Sequence, residues 1–281
     1  MTVEFVAEDA ARWSPTQGVV GGDGVGLYDG SAWPEFVPAP FKLPYPPVRL
    51  RREAPPGVTV TRHARRPGLL ARLPRRSARQ LVASAAALVL IMVAAPVLLA
   101  AAVAIKLTSR GPVLFRQDRT GLHRSVFTMF KFRTMHVDND DTVQRKLMRD
   151  QLVAEEPPTG GQVGIYKLDN DPRVTRVGKV LRQFSVDELP QLWNVVRGEM
   201  SLVGPRPYVP WEAEFFPRDV EKRFSVRPGI TGLWQVSGRS TLDYRTALNI
   251  DVYYAEHKSL WLDLKILAKT AVVVFDRSGT R

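Results

Sequence analysis

Two hundred and eighty-one residues, 44% hydrophobic and 24% charged, describe a broadly globular chain, neither disordered throughout nor a polytopic membrane protein. Forty Lys and Arg against 28 Asp and Glu leave a net charge of +12, which calls for an anionic partner such as nucleic acid, an acidic membrane surface or a phosphorylated substrate. The absence of cysteine excludes a disulfide framework, a thiolate nucleophile and Cys-ligated metal, and His63, His123, His136 and His257 form no HExxH pair.

The charge is unevenly distributed. Residues 1–48 hold six acids against Arg12 and Lys42, whereas residues 49–80 hold ten arginines against Glu53. Prolines 38, 40, 44, 46 and 47 block helix and favour extended chain. Residues 1–76 therefore read as a poorly ordered extension rich in Pro, Gly and Arg. The glycine cluster at 21–26 lacks both phosphate-loop spacings and reads as linker.

Leu81 to Ile105 is an uninterrupted apolar run of 25 residues, with Ser84 as its one hydroxyl. As a straight helix it reaches roughly 37 Å, more than a bilayer's ~30 Å hydrocarbon core. Pro96 predicts a kink or break, leaving two arms each too short to cross alone. Both flanks are basic, with Arg72, Arg75, Arg76 and Arg79 before and Lys106, Arg110, Arg116 and Arg119 after. Positive flanks favour the cytoplasmic side, so both ends ask for the same face. From the residues alone, a re-entrant helix–break–helix over 77–106 and a kinked span both remain open.

Residues 107–281 read as a mixed domain. GPVLFRQDRTG and SVFTMFKFRTM alternate as paired strands turning at Gly121–Arg124. A polar helix and a Pro/Gly loop are expected within 138–165, and a helix ending at Gly198 in SVDELPQLWNVVRGEM. Further helices are expected over 211–224 and 241–257, with RPGITGLWQVSGR as a structured loop between them. SLWLDLKILAKTAVVVF, interrupted by Asp263, Lys265 and Lys269, predicts an amphipathic helix lying on a membrane. The fold class is α+β, mostly helical.

The chemistry concentrates in SVDELPQLWN. Ser185 followed by Glu188 is a capping-box spacing, so Glu188 has a purely structural role available to it. Asp187 can likewise merely offset a helix dipole. Pro190, one turn in, leaves a carbonyl without its donor. Two adjacent carboxylates beside that frayed turn also suit a divalent cation, and an ionised Asp187 suits a nucleophile. Lys131 and Arg133 alternate along a strand and so share one face. Arg206 sits between prolines in GPRP, a rigid placement suited to bidentate phosphate recognition.

FRQDRTG…FKFRTM, DPRVTRVGKVLRQFSVDELPQLWNVVRGEMSLVGPRPY, RPGITGLWQVSGR and DVYYAEHKSLWLDLKIL together resemble the bacterial sugar transferases, the monotopic polyprenyl-phosphate phosphoglycosyl transferases. The resemblance runs from about Ser77 to Phe275. It implies a membrane-associated catalytic core with a re-entrant helix broken at Pro96 and amphipathic interfacial helices, held at the cytoplasmic face of a bacterial membrane. It implies that Asp187 attacks the β-phosphate of a UDP-sugar, releasing UMP. A polyprenyl phosphate, expected to be undecaprenyl phosphate, then takes the phosphosugar, as the first membrane step in assembling an exopolysaccharide, capsule or O-antigen-type glycan. Glu188, with Asp187, holds Mg²⁺ in that scheme. Lys131, Arg133 and Arg206 grip phosphates, and Gln235 and Arg239 contact the nucleotide. Anionic lipids are expected partners, nucleic acid is not, and a homodimer stays open.

The sequence departs from the family pattern in two ways. Larger members carry several spans and an added domain before this core, where this chain has one apolar run. The common serine before the helix-breaking proline is Ala95 here. Two competing functions remain: a metal-dependent glycosyltransferase using Asp169 and Asp171 as a DxD, and a basic membrane-anchored binding protein. The sugar is not specified by these motifs, with glucose or galactose favoured over N-acetylated sugars.

Overall fold

The computed structural model describes residues 77–137, 171–237 and 244–275. The expected extension over 1–76 and the polar helix within 138–165 lie outside them, as do Asp169 and Arg239. The described residues form a mostly helical α+β fold with two small two-stranded sheets.

Helix α1, Ala78–Thr108, opens on Ser77, whose side chain accepts from the Gln80 N–H. The expected separation into two arms is not seen, because Pro96 lies inside one continuous helix. A proline deletes one backbone donor and bends the axis, but flanking bonds can carry the helix past it. Every fully buried residue of α1 falls on a single stripe, Gln80, Ser84, Ala87, Ala101 and Ile105, with Ile91, Ala94 and Leu98 half-buried between them. The spacings alternate between four and three residues, so one seam faces the rest of the fold. At one end Gln80 Nε2 and Ser84 Oγ donate to the carbonyls of Met200 (3.1 Å) and Val195 (3.0 Å). At the other, Ala101 and Ile105 pack with Phe132 and Leu181. Most of the remaining surface is apolar and exposed, as at Leu81, Val89, Val93, Leu99 and Leu107.

Strands β1, Leu114–Thr120, and β2, Val126–Phe132, form the expected antiparallel hairpin, with Phe115 opposite Lys131. Its turn contains a short 3₁₀ segment, Leu122–Arg124, in which His123 and Arg124 adopt positive φ. Helix α2, Arg176–Gln183, is capped by Thr175, whose hydroxyl accepts from the Gly178 N–H at 2.9 Å. A 3₁₀ turn, Val186–Glu188, then leads to helix α3, Gln191–Val196.

The loop expected at RPGITGLWQVSGR carries more structure than its breakers imply. Strand β4, Gly229–Thr231, pairs in parallel with β3, Ser201–Val203, and helix α5, Leu233–Val236, follows. Glycine permits this approach: a Cβ on Gly229 would collide with the Gly204 nitrogen. The helix expected over 211–224 is split by Pro217 into α4, Pro210–Glu214, and a 3₁₀ segment, Arg218–Ser225. Helices α6, Tyr244–His257, and α7, Leu260–Phe275, fall where the sequence places them. Helix α7 buries Ile266 and exposes Leu260, Trp261, Leu264 and Val272.

Candidate active site

Pro190 decides the local structure around the paired carboxylates. An α-helix starting at Ser185 would need the Pro190 nitrogen to bond the Val186 carbonyl, and proline has no N–H to give. The Leu189 N–H takes that carbonyl instead at 3.2 Å, making a 3₁₀ turn, and the α-helix begins only at Gln191. Ser185 is held in the left-handed region at φ 54° and its side chain caps nothing. The capping box is therefore not formed, and Glu188 is released from that role. Its Oε1 lies 2.9 Å from Lys131 Nζ on β2, with both side chains mostly buried.

These two residues line an open cleft with Arg119, Gln191, Arg206 and Gln235. Arg119 reaches it from the end of β1, its Nη1 donating to the Pro207 carbonyl at 3.1 Å. Gln191 is 3% exposed at the start of α3. Gln235, on α5, donates to the Ile230 carbonyl at 3.1 Å. The structure thus brings Lys131, Glu188, Arg206 and Gln235 together. Arg119 and Gln191 are additions that the motifs do not single out.

Asp187 is half-buried beside the cleft and is not part of its wall. Its charge is felt by Arg182, a second residue that the motifs leave unmarked. Burial depresses the Arg182 guanidinium's proton affinity, and Asp187 and Asp171 oppose that effect. Arg182 Nε is oriented by Thr134 Oγ1 at 2.9 Å. Asp171, the described half of the DxD, is engaged in a turn with Arg173: its Oδ2 lies 2.7 Å from Arg173 Nη2 and its Oδ1 accepts the Arg173 N–H at 3.0 Å. These bonds hold the Asp171 carboxyl below its ordinary value.

Arg133 is placed elsewhere. Strand β2 ends at Phe132, so the alternation that pairs it with Lys131 does not continue. Its guanidinium is buried against the C-terminal end of α1, donating through Nη2 to the Ser109 carbonyl (2.9 Å) and hydroxyl (2.8 Å) and through Nη1 to the Arg110 carbonyl. A cation at a helix C-terminus offsets the dipole and satisfies orphan carbonyls. Arg133→Ala is expected to cost about 2 kcal/mol in thermal unfolding while leaving KM for the nucleotide sugar within about two-fold. An effect confined to KM would return Arg133 to phosphate binding.

The donor set suits a hard cation. Among the described residues no three His, Asp or Glu converge. Mg²⁺, however, is commonly held by one or two carboxylates together with substrate phosphates. Asp187 and Glu188 would be the oxygen ligands of that kind, with Lys131 already on one Glu188 oxygen.

The family model described as bacterial sugar transferase matches residues 74–277, spanning the cleft, α1 and α7. The chain belongs to the bacterial sugar transferase family. Among curated relatives of this sugar transferase, the undecaprenyl-phosphate galactose phosphotransferase of Salmonella typhimurium is 44% identical over 60% of this chain and 34% of its own length. The UDP-glucose:undecaprenyl-phosphate glucose-1-phosphate transferase of Caulobacter vibrioides is 42% identical over 66% of this chain and 65% of its own. The exopolysaccharide production protein ExoY of Rhizobium meliloti is 41% identical over 67% of this chain and 81% of its own. The matched region spans only about a third of the length of the Salmonella relative.

Proposed function

We propose that this sugar transferase moves a hexose 1-phosphate from a UDP-sugar to undecaprenyl phosphate, in the manner named for its relatives, as an early membrane step of exopolysaccharide or capsule assembly. The observation that carries the reading is the convergence of Lys131, Arg119 and Arg206 on one cleft with Glu188, next to Asp187. Cations preorganised around a carboxylate suit charge that develops on a transferring phosphoryl group.

In the first step a carboxylate oxygen of Asp187 attacks the β-phosphorus. The bond from that phosphorus to the bridging oxygen breaks, and UMP leaves with the electron pair. The aspartyl-phosphosugar is then attacked at phosphorus by a polyprenyl-phosphate oxygen. This regenerates the Asp187 carboxylate and yields the polyprenyl diphosphosugar. Arg206 and Lys131 hold the phosphate oxygens, Arg182 keeps Asp187 oriented and ionised, and Gln235 and Arg239 bind the nucleotide. Glu188 and Asp187 would hold Mg²⁺, which supplies neutralisation of phosphate charge when bound.

The placement of α1 supports a membrane segment that stays on one side of the bilayer. Gln80 and Ile105 are 25 residues apart, roughly 37 Å along a straight helix. Both pack on the same folded unit. A helix crossing the bilayer would carry one of those contacts to the far side, away from the domain. A bent helix dipping into the cytoplasmic leaflet keeps both. The exposed apolar surface of α1 and of α7, with Lys265 and Lys269 beside it, then meets acyl chains and anionic headgroups. One substrate is soluble and the other confined to the membrane, so a site at the headgroup plane serves both.

The test is nucleotide release from UDP-glucose, UDP-galactose and UDP-N-acetylhexosamines, by the membrane-embedded protein with Mg²⁺ and undecaprenyl phosphate. UMP is expected, from a hexose donor in preference to the N-acetylated ones. Release of UDP would overturn phosphosugar transfer and favour a glycosyltransferase.

A further inference from the structure

Arg206 combines an anchored backbone with an open side chain. Arg206 lines the cleft, and its side chain makes no hydrogen bond or ion pair among the described residues. Its peptide group, by contrast, is held from behind. Arg223 Nη2 donates to the Arg206 carbonyl at 2.7 Å and to Asp251 Oδ2 at 2.7 Å. The Arg223 and Asp251 side chains are 2% and 1% exposed, which is rare for ionised groups and costly unless both are well paired. Burial pushes the Asp251 carboxyl up to about 6, against the opposing pull of Arg223 and of the Arg206 side chain and peptide N–H.

The arginine itself is held by an aromatic cage. The Arg223 guanidinium carbon lies 4.5 Å from the Tyr208 ring centroid, 5.0 Å from Phe224 and 5.5 Å from Phe216. Tyr208 and Phe216 meet edge to face at 5.2 Å. Desolvated cation–π contacts of this kind are strong and directional. The cage comes from the segment after GPRP and from the 3₁₀ segment, while Asp251 comes from α6. Three separate pieces of chain thus converge on one peptide group.

We propose that Arg223 and Asp251 are positioning residues for substrate phosphate: their buried pair fixes the GPRP backbone so that Arg206 presents its guanidinium to the anion with little ordering cost. A bidentate arginine contact requires placement to a fraction of an ångström; the Gly204 N–H and the Pro205 carbonyl are tied to β4 at 2.9 and 3.0 Å, and Arg223 adds the hold on the Arg206 carbonyl itself. The inference rests on the phosphate-binding reading of Arg206 given above. It assigns no contact between substrate and either buried residue.

The experiment is a double-mutant cycle in the full chain, read by calorimetric binding of inorganic pyrophosphate and by UMP release. Asp251→Asn is isosteric and removes the charge that holds Arg223. It is expected to weaken pyrophosphate binding about 10-fold when Arg206 is present, and less than about two-fold in the Arg206→Ala background. Equal losses in both backgrounds overturn the proposal and leave the pair as core support alone. Wild-type protein that binds no pyrophosphate, or binds it equally well after Arg206→Ala, overturns it too. Should Asp251→Asn not fold, Arg223→Lys replaces it, since an ammonium cannot span Asp251 and the Arg206 carbonyl with the same fork. Its loss must show the same dependence on Arg206, and additivity again overturns the proposal. Protein that shows the coupling in pyrophosphate binding but releases no UMP sinks the proposed reaction while the positioning role stands.

Discussion

Asp187→Asn is expected to lower UMP release by at least about 10³-fold, with the protein's thermal unfolding midpoint and pyrophosphate binding close to those of the wild type. The amide keeps the shape of the side chain and cannot act as an anionic nucleophile. Because Asp187 stands beside the cleft and contributes nothing to its wall, the cationic cleft survives the change. Glu188→Gln is expected to behave differently. It frees Lys131 from its 2.9 Å partner, so losses in substrate binding and in rate should appear together. Incubating the wild type with a radiolabelled UDP-hexose without the lipid acceptor should leave label on the protein, released by hydroxylamine, and Asp187→Asn should carry none. Label that persists in the variant, or UMP release within ten-fold of the wild type, would remove Asp187 from the reaction.

The second large effect concerns stability. Asn194 is fully buried on α3 and joins three chain segments through one amide. Its Oδ1 accepts the Phe130 N–H at 3.1 Å, and its Nδ2 donates to the Thr128 carbonyl and to Glu199 Oε2, both at 2.7 Å. Asn194→Ala leaves one part-buried donor and two part-buried acceptors without this amide, each near the lower end of the about 1–3 kcal/mol cost of a stranded buried group, so a total loss of about 3 kcal/mol is expected. Thermal unfolding of the detergent-solubilised chain measures it. The same bonds seat β2 against α3, and so set how Lys131 meets Glu188. Activity should therefore fall even at temperatures where the variant stays folded. A loss under about 1 kcal/mol would show that water replaces the amide and that the seam does not depend on it.

Several elements are legible in the amino-acid sequence because their signals are local. The β1–β2 hairpin follows from alternation around Gly121, and α6 and α7 from apolar spacing. The long apolar helix follows from composition alone. The paired carboxylates, Lys131 and Arg206 stand out in long motifs that occur in order. Where spacing misleads, a nonlocal partner decides. Ser185 and Glu188 have the spacing of a capping box, yet Pro190 denies the helix its first bond and Lys131, 57 residues away, takes the carboxylate. Arg133 has the spacing of a second cleft cation, but the strand stops one residue earlier and the open carbonyls of α1 claim it.

The inventory is legible without any structure: a basic chain, one bilayer-length apolar segment, adjacent carboxylates, a proline-framed arginine and the family to which they belong. Those features depend on residue type and on neighbours within a turn or two. Tertiary structure alone decided which of the cations face the cleft, that α1 touches the domain near both of its ends, and that Arg223 and Asp251 stand behind Arg206. Each of these is a contact between residues far apart in the chain, or the burial of a charge. Such energies come from desolvation and pairing in three dimensions, which spacing along a sequence does not encode.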